Sequence, residues 1–379
     1  MTDGDKPYRL YRGGRVKGTV PLEATQAGEG TAPPRRRRRR RYLLWLALAL
    51  GALVLFVVIW LVAAYFSFRS GVGKANDRLP ARVRASLTHQ SGLLTSHPTL
   101  VLLLGTDGDR TAARAGLRRS DSIMLLRTDP GHHRLSYLSI PRDLRVEIPG
   151  YGEERINAAF HIGGPALALK TVRALTGLEL NHIVVVDFAD FRDVIDELGG
   201  IDVNVPRPIV SNRFDCPYTA QRCASWEGWR FAKGRQHMDG RRALVYSRIR
   251  ENRLNAADND LTRGERQQAV LDAMTGKLTS FGTFLRLPFV GGDLVKPLTT
   301  DLSAGQLLQL GWVRLRADGG RTLHCRLGGE PSTVGGASVI VGTEENRAVV
   351  AMFTGASAPQ PPPPGSGLYG PGCTVGRSR

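Results

Sequence analysis

An uncharged apolar stretch, preceded by a run of arginines, dominates the N-terminal part of the chain. Tyr42–Phe66 holds 25 residues without a charged side chain and directly follows the arginine run Arg35–Arg41. A helix of that length measures about 38 Å, which is enough to cross a hydrocarbon core of about 30 Å with some tilt. Because each arginine costs about 2.5–3.5 kcal/mol at the membrane centre, the tail stays on the cytoplasmic side. The sequence predicts a single-pass anchor in the cell membrane, with the remaining chain outside the cytoplasm.

Two other interpretations of this segment are less favourable. A cleaved signal peptide has a shorter apolar region, and no Ala-x-Ala cleavage site follows here. The arginine run is also typical of nucleic-acid binding, but its direct attachment to an apolar span favours a role in membrane topology. The sequence has no recognition-helix motif, so we expect no nucleic-acid partner.

The positive charge of the chain is unevenly distributed. The formal net charge is +18. Residues 1–41 hold twelve lysines and arginines against four acidic residues, which gives +8 in a short tail. This tail lacks apolar periodicity and is predicted to be disordered. The excess on the remaining chain suggests an anionic partner such as an acidic polymer or anionic lipid.

Three β-strands are predicted after the anchor. Leu100–Leu104 and Ser122–Thr128 are largely apolar, whereas Arg134–Ile140 alternates polar and apolar residues. The turn sequence Asp129-Pro130-Gly131-His132 predicts a hairpin between the second and third strands. If the first strand is also antiparallel to the second, its end meets the start of the second and the end of the third at one rim of the sheet.

Charged residues concentrate where this rim is predicted. Carboxylates supply the hard oxygen ligands that Mg²⁺ prefers, and guanidinium groups neutralise phosphate charge. Carboxylates and guanidinium groups at one end of the sheet therefore predict a magnesium-bridged phosphate site rather than a hydrophobic core. The residues concerned are Asp107, Arg118, Arg119, Asp121, Arg142 and Asp143.

The order of the following elements predicts an α/β fold. A β-branched strand over His182–Phe188 precedes a helix over Ala189–Leu198 and a strand over Ile201–Val205. An earlier helix is expected from Gly163 to Leu175, with Pro165 in its first turn. We expect a mixed central β-sheet flanked by helices, preceded by one transmembrane helix.

A second group of residues suited to phosphate lies further along the chain. Arg248 and Arg250 can face one ligand only if their helix ends there or the chain extends, since residues i and i+2 diverge on a helix. Arg263, Arg266 and Gln267 share one face near the start of a predicted helix over Leu261–Thr279, which favours an anion. A solvated basic helix is the alternative interpretation. Asp260 lies in the intervening loop.

The four cysteines lack zinc-site spacing. Outside the cytoplasm two disulfides are the simpler expectation. Three connectivities are possible, and we favour the local pairs Cys216–Cys223 and Cys325–Cys373. The first pair lies in the stretch from Asn212 to His237, which has no regular pattern and is predicted to be a surface loop.

Eight short segments, taken together and in order, resemble the LytR-CpsA-Psr family of cell-wall assembly proteins. Each segment is weakly specific, whereas the ordered set is strongly specific. The segments are Leu103–Asp107, Arg119–Ser122, Ser139–Asp143, Arg155–Phe160, Gly163–Pro165, Leu198–Val203, Tyr246–Arg250 and Asp260–Gln268.

The resemblance implies a phosphotransferase that moves a glycopolymer from an undecaprenyl-pyrophosphate carrier to a peptidoglycan hydroxyl, the 6-hydroxyl of N-acetylmuramic acid. Asp107 and Asp121 would bind Mg²⁺, and a set of arginines with one glutamine would contact the pyrophosphate. That set is Arg119, Arg142, Arg248, Arg250, Arg263, Arg266 and Gln267, with Asp143 as a further member of the catalytic site. The general base would be Asp107 or Asp143, and the sequence does not decide between them.

The resemblance also implies a domain organisation. We expect a basic tail (1–41), a transmembrane helix (42–66), a juxtamembrane stalk (67–96), a catalytic domain (97–285) and a C-terminal extension (286–379).

Two alternatives to the transferase are a polyprenyl-pyrophosphate hydrolase, with water as acceptor, and a non-catalytic membrane-anchored scaffold or regulator that binds anionic wall polymer.

Overall fold

A computed structural model describes residues 35–106, 120–249, 251–255, 266, 269–270, 272–274, 276–278, 280–366 and 369–376. The chain divides into two compact units, Met1–Val57 and Val58–Arg379. The helices are α1 (Arg35–Asp77), α2 (Ala81–Arg84), α3 (Ile156–Thr176), α4 (Phe188–Glu197), α5 (Ala220–Ser225), α6 (Gly240–Arg248), α7 (Phe281–Val290), α8 (Ala304–Arg316) and α9 (Glu345–Thr354).

Fifteen strands accompany these helices in the described residues. They are β1 (Thr99–Thr106), β2 (Ser120–Asp129), β3 (Arg134–Ile140), β4 (Leu144–Ile148), β5 (Gly152–Arg155), β6 (His182–Asp187), β7 (Ile201–Val205), β8 (Ile209–Val210), β9 (Arg230–Phe231), β10 (Gly234–Met238), β11 (Leu298–Thr300), β12 (Leu323–Arg326), β13 (Gly329–Val334), β14 (Ala337–Gly342) and β15 (Gly372–Val375).

Helix α1 contains the predicted membrane span. Its 43 residues include the apolar segment, and within the described residues it is the one helix long and apolar enough to cross a membrane. The apolar window is fully exposed within the protein, as expected for a surface that faces lipid. The helix also continues through the first part of the expected stalk. Beyond it, Leu79 and Val83 are buried in the main hydrophobic core, so this part of the stalk packs on the folded domain.

A seven-stranded sheet forms the centre of the larger unit, in the order β11-β6-β1-β2-β3-β12-β15. Strands β1, β2 and β3 are antiparallel neighbours, which confirms the predicted hairpin. Strand β6 is parallel to β1, and β12 is parallel to β3. The sheet is therefore mixed, as predicted.

Helices cover both faces of this sheet. Successive residues of β1 point to opposite sides, so its side chains enter two separate hydrophobic clusters. Leu102 and Leu104 are buried in the core that includes residues of α3 and α9. Val101 packs on the other side, against Leu307 of α8. The continuous apolar run of β1 is thus explained by burial on both faces.

The C-terminal part of the chain belongs to the same sheet. Strand β12 pairs with β3, β15 pairs with β12, and β11 pairs with β6 at the opposite edge. The central sheet therefore contains strands from both sides of residue 285, where the boundary between the catalytic domain and the C-terminal extension is expected. The disulfide between Cys325 and Cys373 joins the registered partners of β12 and β15, and the described structure also contains the predicted Cys216–Cys223 pair.

Two other regions differ from the sequence expectation. Helix α3 begins at Ile156, before the expected start at Gly163, and Gly164 breaks its helical geometry with a φ of 64°. Pro165 then starts the second half, in agreement with its predicted position in a first turn. The stretch from Asn212 to His237 is not irregular throughout, since it contains α5, β9 and most of β10.

Candidate active site at the rim of the central sheet

Three strand ends meet at one rim of the central sheet. Thr106, the last residue of β1, is the registered partner of Ser120, the first residue of β2. Ile140, the last residue of β3, is the partner of Ile123 near the start of β2. Asp107 follows Thr106 in the sequence, and Arg142 follows Ile140 by two residues. The predicted arrangement of the three strands around this rim is confirmed.

The turn after β3 is held firmly by backbone hydrogen bonds. Asn157, a buried residue at the start of α3, donates its N–H to the carbonyl oxygen of Arg142 at 3.2 Å. Ile340 of β14 donates its N–H to the carbonyl oxygen of Asp143 at 2.9 Å. Two separate elements therefore fix the backbone from which these two side chains project.

The Asp143 carboxylate lies between two guanidinium groups. Arg142 donates from Nε to Oδ2 of Asp143 at 3.3 Å, and Arg155 Nη1 lies 3.8 Å from Oδ1. All three side chains are 23–29% exposed, so they are accessible to a ligand while their stems are packed. We call Arg142, Asp143 and Arg155 the rim triad. Its net positive charge and planar donors suit a phosphate oxygen.

Arg155 is the first residue of one of the eight family segments, but it was not predicted to be a site residue. It is the last residue of β5 and the N-terminal flank of α3. Its registered partner in β4 is Arg145, just two residues beyond Asp143. The β4–β5 hairpin creates this contact. The sequence predicts a strand and a turn over Arg145–Tyr151, in agreement with β4 and the turn after it, but it does not predict β5.

A second predicted arginine is paired with a carboxylate from the disulfide-closed segment. Arg248 Nη1 lies 2.6 Å from Oδ2 of Asp215, the residue before Cys216. Helix α6 ends at Arg248, and Ile249 adopts an extended ψ of 127°. Arg248 and Arg250 were expected to face one ligand only if their helix ends there or the chain extends. The helix does end at Arg248, and the described residues stop at Ile249 before resuming at Glu251.

Arg266 supports the end of α6 from the following helical residues. Its side chain is 4% exposed, and its Nη2 donates to the carbonyl oxygen of Ile249. A buried guanidinium bound to a backbone carbonyl holds two chain segments together. This contact brings Arg266 next to the Arg248–Ile249 segment, and its predicted contact with the pyrophosphate stays a prediction.

Several predicted site residues lie outside the described residues. These are Asp107, Arg118, Arg119, Arg250, Asp260, Arg263 and Gln267, while Asp121 is described only in its backbone, as the second residue of β2. Within the described residues, no group of three or more histidine, cysteine or acidic side chains is arranged to hold a metal ion.

One acidic residue near the rim was missed by the sequence analysis. Asp187 ends β6 and is the registered partner of Thr106 on the neighbouring strand. Its Oδ1 also accepts a hydrogen bond of 3.4 Å from the backbone N–H of Asp190 in the first turn of α4. The signal was a carboxylate at the end of a buried strand, but the sequence did not show that β6 lies beside β1.

Comparisons with known proteins agree with this fold. A family model described as the LytR_cpsA_psr family matches residues 63–349. "Regulatory protein MsrR" of Staphylococcus aureus (strain COL) is 32% identical over 213 residues, which are 56% of this chain and 58% of that protein. "Polyisoprenyl-teichoic acid--peptidoglycan teichoic acid transferase TagV" of Bacillus subtilis (strain 168) is 29% identical over 264 residues, 68% of this chain and 64% of TagV.

Solved structures share the architecture. A crystal structure of B. subtilis TagV superposes with a TM-score of 0.52 and 26% identity, over 69% of this chain and 97% of that chain. A structure titled "TagT bound to LIIa-WTA" has a TM-score of 0.51 and 25% identity, over 70% of this chain and 94% of that chain.

The fold and the matched region define a mixed α/β domain that follows an apolar N-terminal helix. The chain belongs to the LytR-CpsA-Psr family, since the family model covers more than half of it. It spans about 58% of the length of the MsrR proteins that it matches.

Proposed function

We propose that this protein is a membrane-anchored phosphotransferase. It moves a glycopolymer from an undecaprenyl-pyrophosphate carrier to a peptidoglycan hydroxyl, the 6-hydroxyl of N-acetylmuramic acid, and releases undecaprenyl phosphate. The rim triad is the observation that carries the proposal, because it supplies fixed phosphate donors in a family whose member TagV is named as a teichoic acid transferase. The "TagT bound to LIIa-WTA" structure supports a carrier-linked polymer as the donor.

The proposed reaction needs stabilisation of phosphate charge. The acceptor oxygen attacks the phosphorus next to the glycan, the bond from that phosphorus to the bridging oxygen breaks, and the hydroxyl proton leaves. Charge builds up on the departing lipid phosphate. Preorganised guanidinium donors stabilise such charge without reorganisation during the reaction. Arg142 and Arg155 would serve one part of the pyrophosphate, and Arg248 would serve another, together with Arg119, Arg250, Arg263 and Gln267.

The donor chemistry of the rim fits Mg²⁺. The carboxylates that belong to the strand ends, Asp107 and Asp121, are oxygen donors of the kind that Mg²⁺ takes, and they would hold the ion. When bound, the ion neutralises phosphate charge as a Lewis acid. Asp187 adds a further negative charge at the neighbouring strand end.

The contacts of Asp143 favour a positioning role. Its carboxylate is engaged by two guanidinium groups and can orient Arg142 and Arg155. We therefore assign proton abstraction to Asp107 and a positioning role to Asp143. Arg266 is buried against the Ile249 carbonyl, and we assign it the same kind of role for Arg248.

The proposed location explains the choice of donor. With the basic tail in the cytoplasm, the domain lies outside the cell membrane, where nucleotide triphosphates are not supplied. A phosphoanhydride already present in the lipid-linked donor then provides the driving force.

Product analysis with a labelled donor tests the proposal. The full-length protein in liposomes is given undecaprenyl-pyrophosphate glycan with and without peptidoglycan, and Mg²⁺ is supplied or chelated. The transferase predicts label on peptidoglycan and release of undecaprenyl phosphate, both of which depend on peptidoglycan. Free phosphorylated glycan as the sole product would instead establish the hydrolase. Binding of the donor without any product would favour the scaffold.

A further inference from the structure

The sequence of helix α7 contains an apolar stripe, and two residues of this stripe are exposed in the structure. Phenylalanine, leucine and proline recur at positions i, i+3, i+4, i+7 and i+8 from Phe281 to Phe289, which defines one helical face. Leu285 and Phe289 on this face are 44% and 74% exposed. Thr283 lies on the other side, is 6% exposed and donates from Oγ1 to the carbonyl oxygen of Lys277 at 2.8 Å. Thr283 therefore lies on a buried side of α7, whereas Leu285 and Phe289 lie on an exposed side.

The end of α7 is fastened to the outer part of helix α1. Gly292 donates its N–H to Ser67 Oγ at 3.2 Å. A Cβ added at Gly71 would lie 2.5 Å from the Gly292 carbonyl oxygen, so the two backbones are in close contact. The ring of Phe289 packs edge-on against Trp60, with centroids 5.9 Å apart. These contacts fix the level of α7 along α1.

The contact of Phe289 with Trp60 lies inside the apolar segment, whereas Ser67 and Gly71 lie beyond its end. Trp60 precedes Phe66, the last residue of the uncharged stretch, by six positions, or about 9 Å at ~1.5 Å per residue. A span of about 38 Å centred in a core of about 30 Å projects about 4 Å at each end. Trp60, and with it the Phe289 ring, then lies about 5 Å below the hydrocarbon boundary. Interfacial helices bury their apolar faces to about 5–10 Å at this boundary.

We propose that α7 lies in the membrane interface as a second lipid contact, beside the spanning helix. Its occupant is the bilayer surface, with Leu285 and Phe289 among the acyl chains. Anionic headgroups would meet three exposed cations. Arg286 lies on α7, Lys296 follows α7 in the sequence, and Arg69 lies on α1 between Ser67 and Gly71. The contact would hold the domain at a defined tilt to the membrane plane. A domain attached only through its spanning helix can lean toward or away from the bilayer.

Site-directed spin labelling of the full-length protein tests this depth. All four native cysteines are paired, so one introduced cysteine is the only thiol available for labelling. Phe289→Cys and Leu285→Cys are labelled with a nitroxide in liposomes of phosphatidylglycerol and phosphatidylethanolamine. Collision rates with oxygen, which concentrates in lipid, and with a water-soluble nickel complex are then compared.

The proposal expects the oxygen-to-nickel collision ratio at both positions to exceed that of a solvent-exposed control by about five-fold or more. The control is Tyr151→Cys, at a residue that is 61% exposed and remote from α1 in sequence. Arg286→Cys on the same helix is expected to give an intermediate ratio, as for a headgroup position. A ratio at 285 and 289 equal to that of the control overturns the proposal. So does dipolar broadening that disappears on dilution with unlabelled protein, since a second copy would then cover the face.

Discussion

Two arginine–aspartate contacts in the described part of the site are built differently. In the rim triad, Asp143 is next to Arg142 in sequence, and the backbone of both residues is bound to buried elements. In the other contact, Arg248 is paired with Asp215 across 33 residues, from a segment closed by a disulfide. The first contact is part of the core architecture, whereas the second is supplied by a surface segment.

This difference indicates different mobility. Asn157, which holds Arg142, is 3% exposed, and Ile340, which holds Asp143, is 5% exposed. Asp215 is 46% exposed in its side chain and adopts a positive φ of 48°. A group on a solvent-exposed segment with few packing contacts is easier to displace than one held by the sheet. The rim triad is therefore expected to provide fixed charge stabilisation, and Arg248 to provide an adjustable contact.

The largest effect is expected for Arg142→Ala. Loss of one preorganised donor to a developing charge costs about 100- to 1000-fold in rate, so transfer of labelled glycan should fall by about that factor. The side chain is 23% exposed and its backbone contacts survive, so the melting temperature should change by only a few degrees.

Arg145→Ala is the matched control for this variant. Arg145 is similarly exposed, at 33%, and forms an ion pair of 2.8 Å with Glu153, eight residues further along the chain. It should retain nearly full transfer. If the two variants lose activity equally, or if Arg142→Ala unfolds the domain, Arg142 is structural and the contrast between the two contacts disappears.

A smaller loss, of about ten-fold, is expected for Asp143→Asn. The variant keeps the size of the side chain but removes the charge shared by Arg142 and Arg155, so the two guanidinium groups repel each other and lose orientation. A positioning role predicts that the pH dependence of transfer keeps its shape while the rate falls at every pH. If the acidic limb of the pH–rate profile vanishes instead, Asp143 is the general base.

The sequence could predict the rim of the sheet better than the ion pairs that form beside it. The hairpin over β2 and β3 follows from apolar runs and a Pro-Gly turn, and the shared rim follows from antiparallel pairing. Arg155 reaches Asp143 only through the β4–β5 hairpin, and Asp215 reaches Arg248 through a segment whose strands are two residues long. Both contacts depend on how strands and loops pair in space, and neither leaves a periodicity in the sequence.

The same limit applies to the C-terminal part of the fold. Helices α8 and α9 carry local signals, since their apolar residues recur at helical spacing and Ser303 caps α8 with a capping box. That β12 would insert beside β3, far from it in sequence, was not predictable from local pattern. Helix α7 was missed because Pro288 and Gly282 lower its helix propensity, whereas its tertiary contacts with α1 support it.

A loss of about three-fold in transfer is expected when the disulfide next to Asp215 is removed. In Cys216→Ser with Cys223→Ser, the short closed segment gains freedom in the folded protein, and Asp215 holds Arg248 less firmly. Transfer and thermal unfolding should be measured together. The control removes Cys325 and Cys373, which join strands of the central sheet and close a much longer loop. It should lower the melting temperature more than the first variant does. The reverse order would show that the surface segment supports the fold rather than the site.

The smallest effect is expected for Asp215→Asn. The amide oxygen can still accept a hydrogen bond from Arg248, so the variant removes charge but keeps most of the orientation. Both partners are substantially exposed, and an exposed ion pair contributes only about 0–1 kcal/mol. Because the retained hydrogen bond keeps the larger part of this contribution, transfer should fall by no more than about two-fold. The difference should vanish at high salt, which screens exposed charges, whereas the loss in Arg142→Ala should persist. Steady-state transfer at low and high ionic strength measures both variants. A loss for Asp215→Asn as large and as resistant to salt as that of Arg142→Ala would mean that Asp215 contacts the reacting groups itself. The surface segment would then be as much a fixed part of the site as the turn after β3.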